Sequence, residues 1–339
     1  MHEAIESSDV AIIGAGPVGL FAVFQCGMLQ MRADVFDALP AAGGQCAALY
    51  PEKPIFDIPG HPRIDAADLV ERLVAQAAPF APAYHLGTAV SRLAGTADGA
   101  FIIETLAGKR ATCRAVIIAA GAGAFGPNRP PLARIAEFEG TSVFYLVGRR
   151  EEFRGRRVVI AGGGDAAVDW ALSLAEVAER VSLVHRRTKF RAAPASVARL
   201  HEMAEAGRVD LVLPYQLEAL EGECGRLSAV VVADLAGNTR RVAADCLLPF
   251  FGLATDLGPL AHWGIDIERN QIRVDPATCA TARPGVFAIG DIALYPGKLK
   301  LILSGFAEAA LAAHAAYPLV FPGRALHFEY STTKGLPGG

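Results

Sequence analysis

Charged residues are scarce in this sequence. They make up 20% of its 339 residues, and 32 basic against 35 acidic side chains leave a formal net charge of −3. A chain so close to neutrality is not held to nucleic acid by bulk positive charge. No basic tract with interleaved aromatic residues offers another route to nucleic acid. The hydrophobic fraction of 52% also excludes an intrinsically disordered chain.

Long apolar runs and grouped cysteines are missing too. The apolar stretches are short or broken, and none reaches the roughly 18 consecutive apolar residues that a membrane-spanning helix needs. The first residues, MHEAIESSD, are polar and acidic where a signal peptide would be basic and then apolar. The six cysteines stand singly and match neither a disulfide framework nor a zinc-ligand spacing. We therefore expect a reduced, cytoplasmic protein of about two domains that binds no metal and no membrane.

One supersecondary pattern is present twice. A short apolar strand at 9–13 breaks at Gly14, and a helical stretch and a second strand follow. The same order of strand, glycine turn, helix and strand begins again at Arg157, about 150 residues later. A predicted hairpin and a buried strand follow in each half, at 101–121 and at 226–252. The repetition predicts an α/β protein with two parallel-sheet nucleotide-binding units.

The first glycine pattern is typical of a dinucleotide site. Gly14 permits a tight turn, Gly16 lets a pyrophosphate approach the backbone, and Gly19 allows close packing of helix on strand. The helix N-terminus adds unpaired N–H groups and the positive end of its dipole. Asp37 ends the second strand, where a carboxylate can bind ribose hydroxyls. A later apolar strand ends at Asp291 and brings a second acid to the same crevice.

The second glycine pattern, GGGDAA at 162–167, differs where its second strand ends, at His185-Arg186-Arg187. An acid there would repel a 2′-phosphate, whereas paired guanidinium groups bind it bidentately. This half therefore predicts NADPH rather than NADH, with His185 as a structural residue. One dinucleotide that stays and one that visits indicate hydride transfer from NADPH to bound FAD. The predicted NADPH-binding residues are Gly162, Gly164, Asp165, Ala167, Arg186 and Arg187.

The order of these motifs over essentially the whole chain resembles the thioredoxin reductase family of two-domain flavoproteins. That family carries a Cys-x-x-Cys pair before the second nucleotide strand, but the corresponding segment here, SVFYLVGRREEF at 142–153, has no cysteine. A disulfide between Cys46 and a residue five positions later is also excluded, because that residue is Pro51. A single thiol cannot form an internal redox disulfide, so the residues argue against a dithiol reductase.

A cysteine-free branch of the family is a closer match. The segments 43–62, 121–130, 164–172 and 330–335 resemble those of the thioredoxin-reductase-like ferredoxin–NADP(+) reductases. The resemblance implies two Rossmann-like domains, each with a three-layer ββα architecture. It implies an FAD domain at 1–120 and 252–339, with an NADPH domain at 121–251 inserted into it. It also implies a homodimer that exchanges single electrons with ferredoxin or flavodoxin.

The resemblance further implies site residues. Tyr50 would stack on the flavin ring, and Tyr330 in the C-terminal tail of the partner subunit would cover the other face. The flavin carries the chemistry, so no catalytic acid or base is expected. Basic residues at 149–157, with Lys298 and Lys300, are candidates for docking an acidic ferredoxin. The implied FAD contacts are Asp37, Gln45, Tyr50, Val90, Phe125, Asp291 and Thr332.

Two alternative functions stay open at this stage. The chain could reduce a small disulfide or a ferric chelate through its flavin, with NADPH as the donor. It could also be a non-catalytic FAD-binding redox sensor. The paired arginines argue against the sensor, because a sensor has no use for a second nucleotide.

Overall fold

The computed structural model describes residues 7–327 and Gly335, apart from the side chains of 124–127 and 253–256. The chain forms two compact units. The larger unit comprises residues 1–125 and 255–339, and the smaller unit comprises residues 126–254. The assignment of FAD to 1–120 and 252–339, and of NADPH to 121–251, stays a prediction.

The larger unit begins with a regular alternation of short strands and helices. Its elements before the insertion are β1 (Val10–Ile13), α1 (Pro17–Met28), β2 (Ala33–Phe36), α2 (Gly44–Leu49), β3 (Pro54–Ile55), β4 (Ile64–Asp65), α3 (Ala66–Ala77), β5 (Ala83–His85), β6 (Val90–Gly95), β7 (Phe101–Thr105), β8 (Arg110–Cys113) and β9 (Ala115–Ile118). Strand β10 (Ala124–Pro127) leads into the smaller unit.

The smaller unit repeats this alternation, and the larger unit then resumes. The smaller unit contains α4 (Ile135–Phe138), β11 (Arg157–Ala161), α5 (Asp165–Leu174), β12 (Arg180–Val184), α6 (Pro194–Glu205), β13 (Val209–Val212), β14 (Gln216–Glu223), β15 (Arg226–Ala233), β16 (Thr239–Ala243) and β17 (Cys246–Pro249). The chain returns through β18 (Leu253–Asp256) to β19 (Ile267–Glu268), β20 (Gln271–Arg273), β21 (Val286–Ala288), β22 (Ala293–Leu294) and α7 (Ile302–Val320). Of the helices within the described residues, none has both the length and the apolar character that a membrane crossing requires.

The larger unit is built in three layers around a parallel sheet of order β21-β9-β1-β2-β5. All four residues of β1 are buried, as expected for a strand that is covered on both faces. Val10 and Ile12 pack with residues of α1 and α7, whereas Ala11 and Ile13 pack with the antiparallel sheet β6-β7-β8. The helices therefore cover one face and the hairpin strands cover the other.

The smaller unit has the same three layers around a parallel sheet of order β13-β12-β11-β17. Val158 and Ile160 of β11 pack with α5 and α6, and Val159 and Ala161 pack with the antiparallel sheet β14-β15-β16. The predicted fold class, two Rossmann-like units with ββα layers in an α/β chain, is confirmed.

The register of the larger sheet explains why residues far apart in sequence meet. Ile13 pairs with Phe36 on one side and with Ile118 on the other, and Ile118 pairs in turn with Ala288. Four neighbouring parallel strands therefore end at the same edge. Ligands of open α/β sheets bind outside the carboxyl ends of the strands, so this edge is where a site is expected.

Candidate functional site

A cavity of about 320 Å³ lies at the carboxyl edge of the larger sheet, with all of its lining in the larger unit. Its volume is in the range of cofactor and small-molecule sites. The side chain of Phe125, and the whole of Tyr330 and Thr332, lie outside the described residues. The predicted FAD contacts that line the cavity are Gly14, Gly16, Asp37, Gln45, Tyr50, Val90 and Asp291.

The glycine loop between β1 and α1 forms one wall of this cavity. Gly14 has a φ of +112°, a conformation that side chains rarely adopt. A Cβ on Gly19 would lie 1.9 Å from the carbonyl oxygen of Gly14, so α1 approaches the loop too closely for any side chain at that position. A Cβ on Gly16 would meet nothing nearer than the Cα of Gly44, at 4.0 Å. Gly19 therefore serves packing, whereas Gly16 leaves open the space in front of the helix N-terminus.

The carboxylate of Asp37 is held at the end of β2 by two backbone amides. The N–H of Ala15 donates to Oδ2 at 2.7 Å, and the N–H of Leu39 donates to Oδ1 at 2.8 Å. A carboxylate has about four acceptor positions, so two of them are left for ribose hydroxyls. The acid that the sequence places at this strand end is thus oriented beside the glycine loop.

Tyr50 and Cys46 are neighbours in the cavity wall, at the end of α2. Burial raises the pKa of the Cys46 thiol to about 11, and burial also raises the pKa of Tyr50 well above its ordinary value. Both side chains are therefore neutral at pH 7. Tyr50 presents an uncharged aromatic surface to the cavity, which suits a planar cofactor ring.

The turn that carries Asp291 is fixed from two sides. Gly290 has a φ of +75°, and its N–H donates to Oε2 of Glu308 at 2.7 Å. The amide of Gln271 donates to the carbonyl oxygens of Asp291 and Ala293 at 3.0 and 3.1 Å. These bonds hold the Asp291 backbone against the cavity that its side chain lines.

Glu308 and Lys298 are further candidate functional residues. Sequence reasoning misses Glu308 and assigns Lys298 to a docking surface. The side chain of Lys298 is only 4% exposed and forms an ion pair with Glu308, which also accepts a hydrogen bond from the hydroxyl of Tyr295 at 2.6 Å. The prediction that Lys298 docks ferredoxin is therefore wrong, because its ammonium group is buried. A signal was available, since Glu308 is the only acid in α7, whose other residues are mostly apolar, and a buried charge needs a partner.

In the smaller unit, the segment after β12 is tied to the second glycine loop. The N–H of Arg191 donates to the carbonyl oxygen of Gly163 at 2.7 Å, and the N–H of Ala193 donates to Oδ1 of Asp165 at 2.8 Å. Arg186 and Arg187 lie exposed on this segment. The structure thus brings the two arginines of the predicted 2′-phosphate site beside the loop predicted to bind the pyrophosphate.

The other predicted NADPH contacts divide between packing and open positions. A Cβ on Gly162 would lie 2.6 Å from the carbonyl oxygen of Phe250, whereas one on Gly164 would meet nothing within 4 Å. Ala167 is buried on the inner face of α5. Gly164 alone of these three has free space in front of its backbone for a ligand.

His185 lies beneath the second glycine loop. A Cβ on Gly163 would be 2.2 Å from Cε1 of its imidazole ring, and the ring stacks on Phe190 with centroids 5.4 Å apart. Burial lowers the pKa of His185, and the charges of Arg186 and Arg187 act in the same direction. The side chain is therefore neutral near pH 7 and fills the space that the missing Cβ leaves.

The predicted basic docking cluster at 149–157 is largely ion-paired. Arg150 pairs with Glu176, Arg154 pairs with Glu151, and Arg157 pairs with Asp245 at 2.5 Å. These acids cancel much of the positive charge that the sequence alone displays. Ferredoxin docking on this cluster stays a prediction.

The described residues hold all six cysteines, and none forms a disulfide. Five of them are buried, and only Cys224 is exposed. Within the same part of the chain, no group of three or more metal-ligating side chains comes together.

Comparison with known proteins places the chain. The pyridine nucleotide-disulphide oxidoreductase family matches residues 8–316. The chain belongs to this family. The chain is 65% identical to the ferredoxin–NADP reductase of Paramagnetospirillum magneticum, and the match covers 99% of this chain and 100% of that protein. That of Rhodospirillum rubrum is 63% identical over 98% of this chain and 97% of its own.

Solved structures of the oxidoreductase fold agree with the layers described above. Lactococcus lactis thioredoxin reductase in the FR conformation superposes with a TM-score of 0.78 at 24% identity, covering 93% of this chain and 99% of that one. T. acidophilum thioredoxin reductase gives a TM-score of 0.78 at 24% identity, covering 92% and 98%. The fold is therefore that of a thioredoxin reductase, and the predicted family resemblance is confirmed.

Proposed function

We propose that the chain is a ferredoxin–NADP(+) reductase that binds FAD in the larger unit and NADPH in the smaller one. One observation carries the proposal: both nucleotide loops are intact in a disulphide-oxidoreductase fold whose six cysteines form no redox pair. Relatives named ferredoxin–NADP reductase, 65% and 63% identical over nearly the whole chain, support the same activity.

The FAD site follows from the residues that line the cavity. The pyrophosphate fits the open space in front of Gly16, where the first turn of α1 offers N–H groups and a positive dipole end. Asp37 would bind ribose hydroxyls, and Asp291, which lines the same cavity, would bind the ribityl or phosphate region of the flavin. Tyr50 would cover the ring and keep water from it. FAD, once bound, would supply the chemistry that side chains lack, namely a hydride acceptor that can release electrons one at a time.

The NADPH site is selective because of its charge. Arg186 and Arg187 bind the 2′-phosphate, and the acid that would repel it is absent from the end of β12. Asp165 fixes the arginine-bearing segment through the amide of Ala193. The smaller unit therefore orients NADPH, and no side chain has to act as a general acid or base.

We propose in addition that the protein is a cytoplasmic homodimer. Six free thiols in one chain support a reducing compartment. In the dimer, Tyr330 of the partner subunit would cover the flavin. Light scattering would give the mass of two chains, and a Tyr330→Ala variant would expose the flavin to solvent. A monomer that shields its flavin equally well would contradict this arrangement.

Anaerobic stopped-flow reduction tests the main proposal. NADPH should bleach the bound flavin much faster than NADH, and subsequent mixing with oxidised ferredoxin should restore the flavin absorbance. Thioredoxin serves as the control acceptor and should receive no electrons. Bleaching without transfer to ferredoxin or flavodoxin would shift the activity to a small disulfide or a ferric chelate. No bleaching by NADPH would leave a redox sensor.

A further inference from the structure

The larger unit contains a buried ion pair that has no role in the reaction proposed above. Glu308 is 2% exposed within α7, and the side chain of Lys298 is 4% exposed in the loop before that helix. The carboxylate receives the Lys298 ammonium and the Tyr295 hydroxyl on Oε1, and the Gly290 N–H on Oε2. Within the part of the chain that the structure describes, these three donors all belong to the segment 290–298.

Stability alone does not explain the pair. The free energy of removing two charges from water is usually about as large as their attraction in the interior. Well-packed apolar residues of similar volume often stabilise the fold equally well or better. The surrounding face of α7 is apolar, with Ala309, Ala312 and Ala313 fully buried. An apolar replacement would therefore suit this core, and the retained charges point to another use.

The position of the pair suggests that use. The Glu308 carboxylate is separated from the cavity by the single peptide unit of Gly290, which itself lines the cavity together with Asp291. A charge that is itself buried so near the cavity acts over several ångströms, because little solvent screens it. As long as both partners are present, their charges cancel.

We propose that Glu308 and Lys298 are positioning residues that hold the Asp291 turn against the flavin and keep the reduction potential of the flavin at its working value. The inference rests on the proposed function, because it requires FAD in the cavity. Reduction adds negative charge at the cavity. An uncompensated carboxylate therefore opposes reduction, and an uncompensated ammonium favours it.

Anaerobic titration with dithionite against a reference dye measures this potential without NADPH or ferredoxin. Glu308→Gln should increase the reduction equilibrium constant of the flavin at least tenfold, and Lys298→Met should decrease it at least tenfold. Each tenfold change corresponds to about 30 mV for a two-electron couple. The double variant, with both charges removed, should have a reduction equilibrium constant within threefold of the wild-type value. The proposal would be overturned if the two single variants shifted the reduction equilibrium constant in the same direction, or did not shift it.

A matched control removes the same charge elsewhere in the larger unit. Glu104→Gln deletes a carboxylate that pairs with Arg92 at 3.5 Å and Arg110 at 3.3 Å on the β6-β7-β8 sheet. It should leave the reduction equilibrium constant of the flavin within twofold of the wild-type value. A shift as large as that of Glu308→Gln would mean that net charge, rather than the position of the pair, sets the potential.

Binding of FAD tests the positioning half of the proposal. Glu308→Ala removes the acceptor for the Gly290 N–H and should weaken FAD binding at least tenfold, whereas Glu308→Gln keeps an acceptor oxygen and should weaken it less than threefold. Equal affinities for the two variants would overturn this half.

A charge-preserving variant covers the case in which the single charge variants do not fold. Tyr295→Phe removes one donor to Glu308 without changing the net charge, and it should lower the reduction equilibrium constant at least threefold. An unchanged constant in that variant would overturn the proposal. A wild-type protein that binds no FAD would instead refute the proposed function.

Discussion

Alanine at Gly16 and alanine at Gly19 separate the two demands that a cofactor makes on its binding loop. At Gly16 the backbone φ is −69°, which any residue adopts, and the new methyl group meets nothing nearer than a Cα at 4.0 Å. The free energy of unfolding without cofactor should therefore change by less than about 0.5 kcal/mol. The methyl group instead occupies the space that the pyrophosphate needs.

The loss of FAD affinity at Gly16 follows from the bonds that are displaced. One hydrogen bond from a backbone N–H to a charged phosphate contributes about 1.5–3 kcal/mol. Losing one such bond should weaken FAD binding roughly 10- to 150-fold. Quenching of flavin fluorescence on binding to the apoprotein measures this dissociation constant directly.

Gly19→Ala should behave in the opposite way. Its Cβ would lie 1.9 Å from the Gly14 carbonyl oxygen, so α1 has to move away from the loop. Such overpacking costs about 1–3 kcal/mol of folding stability. Urea unfolding of the apoproteins distinguishes the two variants. A Gly19→Ala protein as stable as the wild type, or a Gly16→Ala protein that binds FAD normally, would refute this division of roles.

Three other predictions follow from the same structure. Arg187→Ala should raise the KM for NADPH about tenfold or more without affecting NADH, because a charged contact to the 2′-phosphate is lost; Arg180→Ala, exposed at the start of the strand that precedes this segment, is the control, and equal effects of the two would count against the site. Burial lowers the pKa of His185 below its ordinary 6.5, so the unfolded state binds more protons and the free energy of unfolding should fall as the pH drops through that value. Urea titrations from pH 7.5 to 5 should show this fall in the wild type and a smaller one in His185→Gln; identical slopes would contradict it. Iodoacetamide at pH 8 should label Cys224 first, since Cys46 is buried and burial raises its pKa to about 11; mass spectrometry showing equal labelling would be contrary.

Much of the site could be predicted because its parts are local in sequence and parallel sheets bring strand ends together. Gly14, Asp37 and Asp291 each follow an apolar strand, and adjacent parallel strands necessarily present their carboxyl ends at one edge. The Tyr50–Cys46 contact was also within reach of sequence reasoning, since residues four apart in a helical segment are neighbours.

The charged residues were harder to interpret because a sequence does not show which charges are paired. Arg157 and Asp245 are 88 residues apart along the chain, and they form an ion pair only because β11 and β17 are adjacent strands. Lys298 stands in a loop with a second lysine, Lys300, and such a pattern indicates a surface residue. Whether such a loop folds over α7 or away from it depends on packing, which no local pattern encodes.

The sequence by itself therefore determined the two α/β units, the glycine loops and the acids and arginines at their strand ends. These depend on short-range patterns of apolar residues, glycine and charge, whose physical demands are the same in any such sheet. Only the tertiary structure decided that Lys298 and Glu308 are buried together behind Gly290. That outcome depends on desolvation and on the contact of a loop with a helix, and both arise only once the chain is folded.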